Sequence, residues 1–261
     1  IQRDISIIEH IDTLLDALTD AKAKSNDDLL AKADIITWRG IITKILCTPY
    51  ARREPWELRA TRYNGSIFME EQVTEQKKKH ESESSDRQKL MSYWGYKFET
   101  LSTITTPPKK VEKQQLEERL MASANTNEQY CVVVKTKLGN HSLIMGAEVD
   151  CCLDEKPTDP KHKLSNYVEL KTSRVIESSK NEYSFNRYKL LKFWAQSFLV
   201  GVPKIICGFR DDDGNLKQVE HYKTLQIPRI VREKPNTWDP NVCLSFANQV
   251  LDFIKSVVIK D

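Results

Sequence analysis

Apolar residues recur at helical spacing over residues 4–23, where Ile5, Ile8, Ile11, Leu14, Leu15 and Leu18 would line one face of a helix. Between 35 and 47 the run IITWRGIITKILC is apolar except at Arg39 and Lys44, and Pro49 breaks it. Segments 56–62 and 66–72 flank Asn64-Gly65 and read as a hairpin, because Asn-Gly tolerates the left-handed positions of a tight turn. The charged stretch from Thr74 to Lys89 is expected to be exposed. A second helix should start near Ser84, Ser85 or Asp86, all good N-caps, with Leu90, Met91, Trp94, Phe98 and Leu101 as its apolar stripe. Gly95 weakens that helix and marks a candidate break. Thr105-Thr106-Pro107-Pro108 ends the unit, and 109–129 is polar, a short helix and a loop.

Strand signals dominate next, over 130–138, 142–153 and 165–173, with a loop rich in Pro and charge from Asp154 to Lys163. Residues 185–200 give the clearest helix, with Leu190, Leu191, Trp194, Phe198 and Leu199 on one side. Segments 204–210 and 216–224 flank Asp211-Asp212-Asp213-Gly214-Asn215 as a second hairpin, and 240–258 reads as a closing helix. The pattern predicts a mixed sheet flanked by helices, in one domain spanning 1–261.

Composition narrows the function. The 261 residues carry 40 basic and 37 acidic side chains, a formal charge of +3, so any nucleic-acid contact must come from a local patch. There is no apolar run of 18 or more residues, hence no predicted membrane span, and no signal peptide is visible. Because the chain starts at Ile1, it is expected to be a fragment. Six cysteines lack zinc spacing and read as buried, reduced thiols of an intracellular protein.

Candidate chemistry lies in GAEVDC (146–151) and YVELKT (167–172). Residues two apart on a strand share a face, so Glu148 would stand beside Asp150 and Glu169 beside Lys171. If those strands are neighbours in one sheet, three carboxylates and an ammonium converge. Crowded carboxylates repel unless a cation separates them, and hard oxygen donors suit Mg²⁺ or Mn²⁺. Read alone, each pair also fits the wet face of a half-exposed strand.

Asp150 followed by Glu169-Leu170-Lys171 reads as D-x(n)-E-x-K and resembles the signature of the PD-(D/E)xK nucleases. The wider wording is more specific: TWRG (37–40), YWGYKFE (93–99), GAEVDC (146–151), ELKTS (169–173) and FWAQSFLVG (193–201) occur in this order. Together they resemble the decapping exoribonuclease family, over about residues 35–210. Within it, KHESESSDRQKLMSYWGYKFE and FWAQSFLVGVPKIICGFRD look most like the fungal nuclear branch, the pyrophosphohydrolase that partners the nuclear 5′→3′ exoribonuclease.

That resemblance implies an α+β fold with two packed mixed sheets, flanking helices and an active-site cleft between the sheets. It implies metal ligation by Glu99, Asp150, Glu169 and the Leu170 carbonyl, with Glu148 on a second metal or its water. Lys171 and Gln196 would contact the phosphate under attack, and Arg39 the RNA 5′-end phosphates. The implied activity releases pyrophosphate from 5′-triphosphate RNA and removes incomplete or non-standard caps, NAD caps among them, leaving 5′-monophosphate RNA. The implied setting is a nuclear, monomeric protein in mRNA 5′-end quality control, with the nuclear exoribonuclease as partner. Alternatives are a distributive 5′→3′ exoribonuclease with decapping activity, a non-catalytic stabilising partner, and a DNA endonuclease of the wider superfamily. Outside the resemblance, Arg39 reads as a structural ion pair, and Gln196 and Glu99 as solvated helix groups. Trp38, Trp94 and Trp194 are candidates for base stacking but fit core packing better. Lys135, Lys137 and Arg174 are candidates for tracking an RNA backbone.

Overall fold

A computed structural model describes residues 10–24, 33–75, 77, 79, 83–156, 158 and 164–261. The elements in chain order are α1 (Asp12–Lys24), β1 (Ile35–Trp38), α2 (Arg39–Cys47), β2 (Glu57–Tyr63), β3 (Ser66–Gln72), α3 (Asp86–Ser102) and α4 (Lys113–Met121). Next come β4 (Cys131–Leu138), β5 (His141–Glu148), β6 (Cys151–Cys152), β7 (Tyr167–Arg174) and α5 (Ser179–Ser184). After them come a π-helical turn (Phe185–Lys189), α6 (Leu190–Val200), β8 (Lys204–Arg210), β9 (Leu216–Lys223), α7 (Ile227–Arg232) and α8 (Pro240–Val257).

Two mixed sheets form, in the orders β2-β3-β1-β5-β4 and β6-β7-β8-β9. In the first, β1 runs parallel to both β3 and β5 while the hairpin partners run antiparallel. In the second, β7 and β8 are parallel, and β8–β9 is the hairpin expected around the Asp211–Asn215 turn. Asn64 and Gly65 both adopt positive φ, 48° and 83°, as a tight hairpin turn requires.

One core joins the sheets. Ile35, Met69 and Met145 of the first sheet meet Ile205 and Cys207 of the second around α2, α6 and α8, whose Ile42, Leu46, Leu190, Trp194, Ala247 and Leu251 are buried. Trp194 packs against Phe198 and Trp238, at ring distances of 5.2 and 5.1 Å. Its role is therefore packing. Trp94 carries the guanidinium groups of Arg210 and Arg87 over its ring, at 4.1 and 5.2 Å from its centroid.

Several sequence readings need correction. The helix expected over 4–23 lies partly outside the described residues; its described part starts at Asp12 and buries Leu14 and Leu18. The helix after Ser85 has the expected N-cap, completed by a capping box with Gln88, but Leu90 and Met91 are exposed. Gly95 does not break it: a side chain there would approach Thr172 on β7, so the glycine sits where helix and sheet meet closely. The thiols divide: Cys47, Cys207 and Cys243 are buried, Cys151 and Cys152 half-buried, and Cys131 is exposed, and none of them forms a disulfide.

Candidate active site

The strand expected over 142–153 does not run through. β5 ends at Glu148, and after Val149 and Asp150 the chain starts β6, which pairs with β7 in the other sheet. The two motif strands are thus not neighbours in one sheet. Val149 and Asp150 span a switch between sheets, and the acidic groups converge at that switch.

Because Tyr167, Glu169 and Lys171 share one face of β7, Glu169 and Lys171 point together towards α6. The Glu169 side chain is 1% exposed. Its Oε1 accepts from Lys171 Nζ at 2.6 Å and from Gln196 Nε2 of α6. Its Oε2 is buried and has no hydrogen-bond partner. A buried carboxylate oxygen without a donor is costly, and a cation there would remove the cost. Asp150 Oδ2 accepts the Leu170 N–H at 2.6 Å and lies 3.9 Å from Lys171 Nζ. The N–H and C=O of one strand residue point the same way, so the Leu170 carbonyl also turns to this edge.

Glu99 comes from α3, which packs against β7. Burial and the Asp150 carboxylate push Glu99 up to about 7, against the pull of Lys171. Burial and the Glu169 carboxylate push Asp150 up to about 6, against Lys171 and the Leu170 N–H. Burial alone would lower Lys171, but Glu169 and Asp150 outweigh it and hold the ammonium above its ordinary value. Glu148 is exposed at the end of β5, and its charge raises both Glu99 and Asp150.

The structure thus brings Glu99, Glu148, Asp150, Glu169, Leu170, Lys171 and Gln196 to one place. Among the described residues, no three His, Cys, Asp or Glu side chains are arranged so that they could hold a metal ion as they stand. The donor chemistry nevertheless fits a hard divalent ion: mutually repelling carboxylates, a bare buried carboxylate oxygen and an adjacent carbonyl.

Arg39, expected at the RNA 5′-end phosphates, is held by two main-chain carbonyls. It is 7% exposed, and its Nη2 donates to the Glu148 carbonyl at 3.1 Å and its Nη1 to the Gln196 carbonyl at 3.3 Å. The guanidinium therefore ties the end of β5 to the middle of α6, across the site. Nothing in the spacing of TWRG revealed that tie. Among the tracking candidates, Lys135 and Lys137 are exposed on the edge strand β4, and Arg174 pairs with Asp212 at 2.8 Å and Glu177 at 3.3 Å.

A family profile described as RAI1 like PD-(D/E)XK nuclease matches residues 1–261. The decapping and exoribonuclease protein of Xenopus laevis is 44% identical over 87% of this chain and 55% of its own length. The decapping nuclease RAI1 of Neurospora crassa is 41% identical over 99% of this chain and 63% of its own length. The chain thus spans little more than half the length of these relatives. Among solved structures, Candida albicans Rai1 in complex with pU5 and Mn²⁺ superposes with a TM-score of 0.90 at 35% identity, covering 100% of this chain and 71% of that one. Scheffersomyces stipitis Rai1 in complex with (3′-NADP)⁺ and calcium gives 0.88 at 34% identity, covering 97% and 69%. With its two sheets, its gathered carboxylates and a profile match over its whole length, the chain belongs to the RAI1-like PD-(D/E)XK nuclease family.

Proposed function

We propose that this chain is a single catalytic domain that hydrolyses RNA 5′ ends with a divalent metal, Mg²⁺ or Mn²⁺. It releases pyrophosphate from 5′-triphosphate RNA and removes incomplete or non-standard caps, NAD caps included. The observation that carries this reading is Glu169, whose one oxygen holds Lys171 and Gln196 while the other is bare beside Asp150 and Glu99. Support also comes from relatives named decapping nucleases and from the pU5 and Mn²⁺ held by Candida albicans Rai1.

Glu99, Asp150, Glu169 and the Leu170 carbonyl would hold the ion, and Glu148 a second ion or its water. When bound, the ion supplies charge neutralisation and lowers the pKa of water. For a triphosphate end, water oxygen bonds to the α-phosphorus as the bond to the α–β bridging oxygen breaks. The electron pair leaves with pyrophosphate, and 5′-monophosphate RNA remains. Lys171 keeps a fixed positive charge where negative charge spreads over the phosphoryl oxygens. Gln196 offers its amide N–H groups to the same oxygens. Arg39 holds Glu148 and Gln196 in register, and its remaining N–H donors serve the 5′-end phosphates.

The setting follows from the product. A 5′-monophosphate end suits a 5′→3′ exonuclease, so we place the chain in the nucleus as a monomeric partner of that enzyme, acting in mRNA quality control. A second reading adds distributive exoribonuclease activity, and the name of the Xenopus laevis relative favours it. One assay tests both. Wild type, Asp150→Ala and Glu169→Ala are given RNA with a 5′-triphosphate, 5′-monophosphate or guanosine cap. Metal-dependent release of the 5′ group, lost in both variants, supports the hydrolase. Shortening of the monophosphate RNA adds the exonuclease, and no release from any end overturns the catalytic reading.

A further inference from the structure

Beyond the acidic centre, β7 continues along its free edge. Among the described residues β6 pairs only with Tyr167 and Val168, and the residues after them have no strand partner on that side. Leu170 turns its N–H to this edge, where Asp150 takes it. Thr172, two residues on and therefore facing the same way, turns its carbonyl there too, and Lys189 Nζ donates to it at 3.2 Å. Two residues of strand cover about 6.6 Å. Lys189 thus stands one short step along the same edge from the proposed metal ligands.

Lys189 closes the π-helical turn that precedes α6, a rare local geometry often found at functional sites. It lines an open pocket of ≈ 210 Å³ together with Ser173, Arg174, Asn181 and Ser184. No carboxylate lines this pocket. Arg174 already has Asp212 and Glu177 as partners, whereas Lys189 donates to the Thr172 carbonyl and, among the described residues, forms no ion pair with a carboxylate. A cation without a carboxylate, with Ser173, Asn181 and Ser184 beside it on a wall completed by the apolar Val175, Ile176 and Phe185, matches a singly charged phosphodiester.

We propose that this pocket is a second phosphate subsite, which binds one internucleotide phosphodiester of the RNA body downstream of the reacting 5′ end. Lys189 supplies the charge, and Asn181 and Ser184 supply hydrogen-bond donors. This rests on the reading of the carboxylate centre as an RNA 5′-end hydrolase. Its consequence is that the protein measures RNA beyond its first nucleotide. A 5′-triphosphate mononucleotide fills the centre and leaves the subsite empty, so RNA is selected over free nucleotides.

The test walks one neutral methylphosphonate through the first four internucleotide linkages of a short 5′-triphosphate RNA. Wild type with Mn²⁺ should show a KM rise of about tenfold at one linkage only, the loss of a single charge-assisted phosphate contact. Lys189→Ala should raise the KM of unmodified RNA by about the same factor and erase the sensitivity at that linkage, whereas Lys189→Arg should keep it. Asn181→Ala, which leaves the Lys189–Thr172 bond in place, should give a smaller effect at the same linkage. Anisotropy of the same labelled RNAs in Ca²⁺ reads the subsite without turnover. Equal KM and equal binding at every linkage, or sensitivity that survives Lys189→Ala, overturns the subsite. Failure of the hydrolase reading looks different: no 5′ group is released from unmodified RNA, while the binding profile still reports on the subsite.

Discussion

Lys171 Nζ lies 2.6 Å from Glu169 Oε1, and the pair is almost sealed from solvent on the Glu169 side. Removing one partner of such a pair strands the other charge. Lys171→Met should lower 5′-end hydrolysis by about 10²–10³ and destabilise the protein by about 3 kcal/mol. Adding Glu169→Gln should restore the melting temperature without restoring activity. Parallel melts and product assays of the single and double variants check this.

Metal binding should be visible without turnover. Millimolar Mn²⁺ should raise the melting temperature of wild type, because a ligand bound only by the folded state stabilises it. Asp150→Asn and Glu169→Gln should each abolish most of that rise. A rise of wild-type size in either variant would place the ion elsewhere.

Glu99 carries a pH-dependent cost in the metal-free protein. Its folded-state value, about 7, exceeds its ordinary 4.5, so the cost is absent below 4.5, grows as pH rises and is complete above about 7. Glu99→Gln should therefore melt a few degrees higher than wild type at pH 8, in chelator, with the gap closing near pH 4.5. A gap independent of pH would assign the effect to something other than ionisation.

Asp34 behaves in the opposite sense. Burial alone would raise it, but Lys255 Nζ at 2.6 Å and the Ser142 N–H at 2.7 Å outweigh burial and hold it low. Its stabilising contribution is present above its ordinary 3.8 and fades as pH falls through the lower folded-state value. Asp34→Asn should cost about 1–2 kcal/mol in urea unfolding at pH 7, with much of the difference gone near pH 3. Activity at pH 7 should stay near wild type, since Asp34 is remote from the carboxylate centre.

Gly208 lies on β8 under α3. A Cβ there would stand 2.7 Å from Phe98 Cε2, so Phe98 must move. Phe98 precedes Glu99, and Gly208→Ala should weaken activity more than it weakens the fold, by roughly tenfold against about 1–3 kcal/mol. Equal activity per folded molecule would show that α3 absorbs the shift without carrying Glu99 along.

Much of this was legible in the chain itself. Asn64-Gly65, the Ser85 cap and the aliphatic residues of α6 announce their elements through local chemistry, and each forms as expected. The order of the motifs announced the family. The break after Glu148 was not legible, because a strand that changes sheets keeps the apolar wording of one that does not. The role of Arg39 was hidden for a similar reason: its partners are carbonyls 109 and 157 residues away, and a carbonyl has no sequence signature. Lys189 went unnoticed because a π-turn reads as ordinary helix in the periodicity of 185–200.

The switch between sheets at Val149 and Asp150 also sets when during synthesis the proposed centre can assemble. Glu99, Asp150 and Glu169 meet only once both sheets exist and α6, carrying Gln196, has docked between them. Such long-range pairings form late in folding, after the local hairpins and helices. A nascent chain still short of residue 196 therefore holds every proposed metal ligand and no assembled centre.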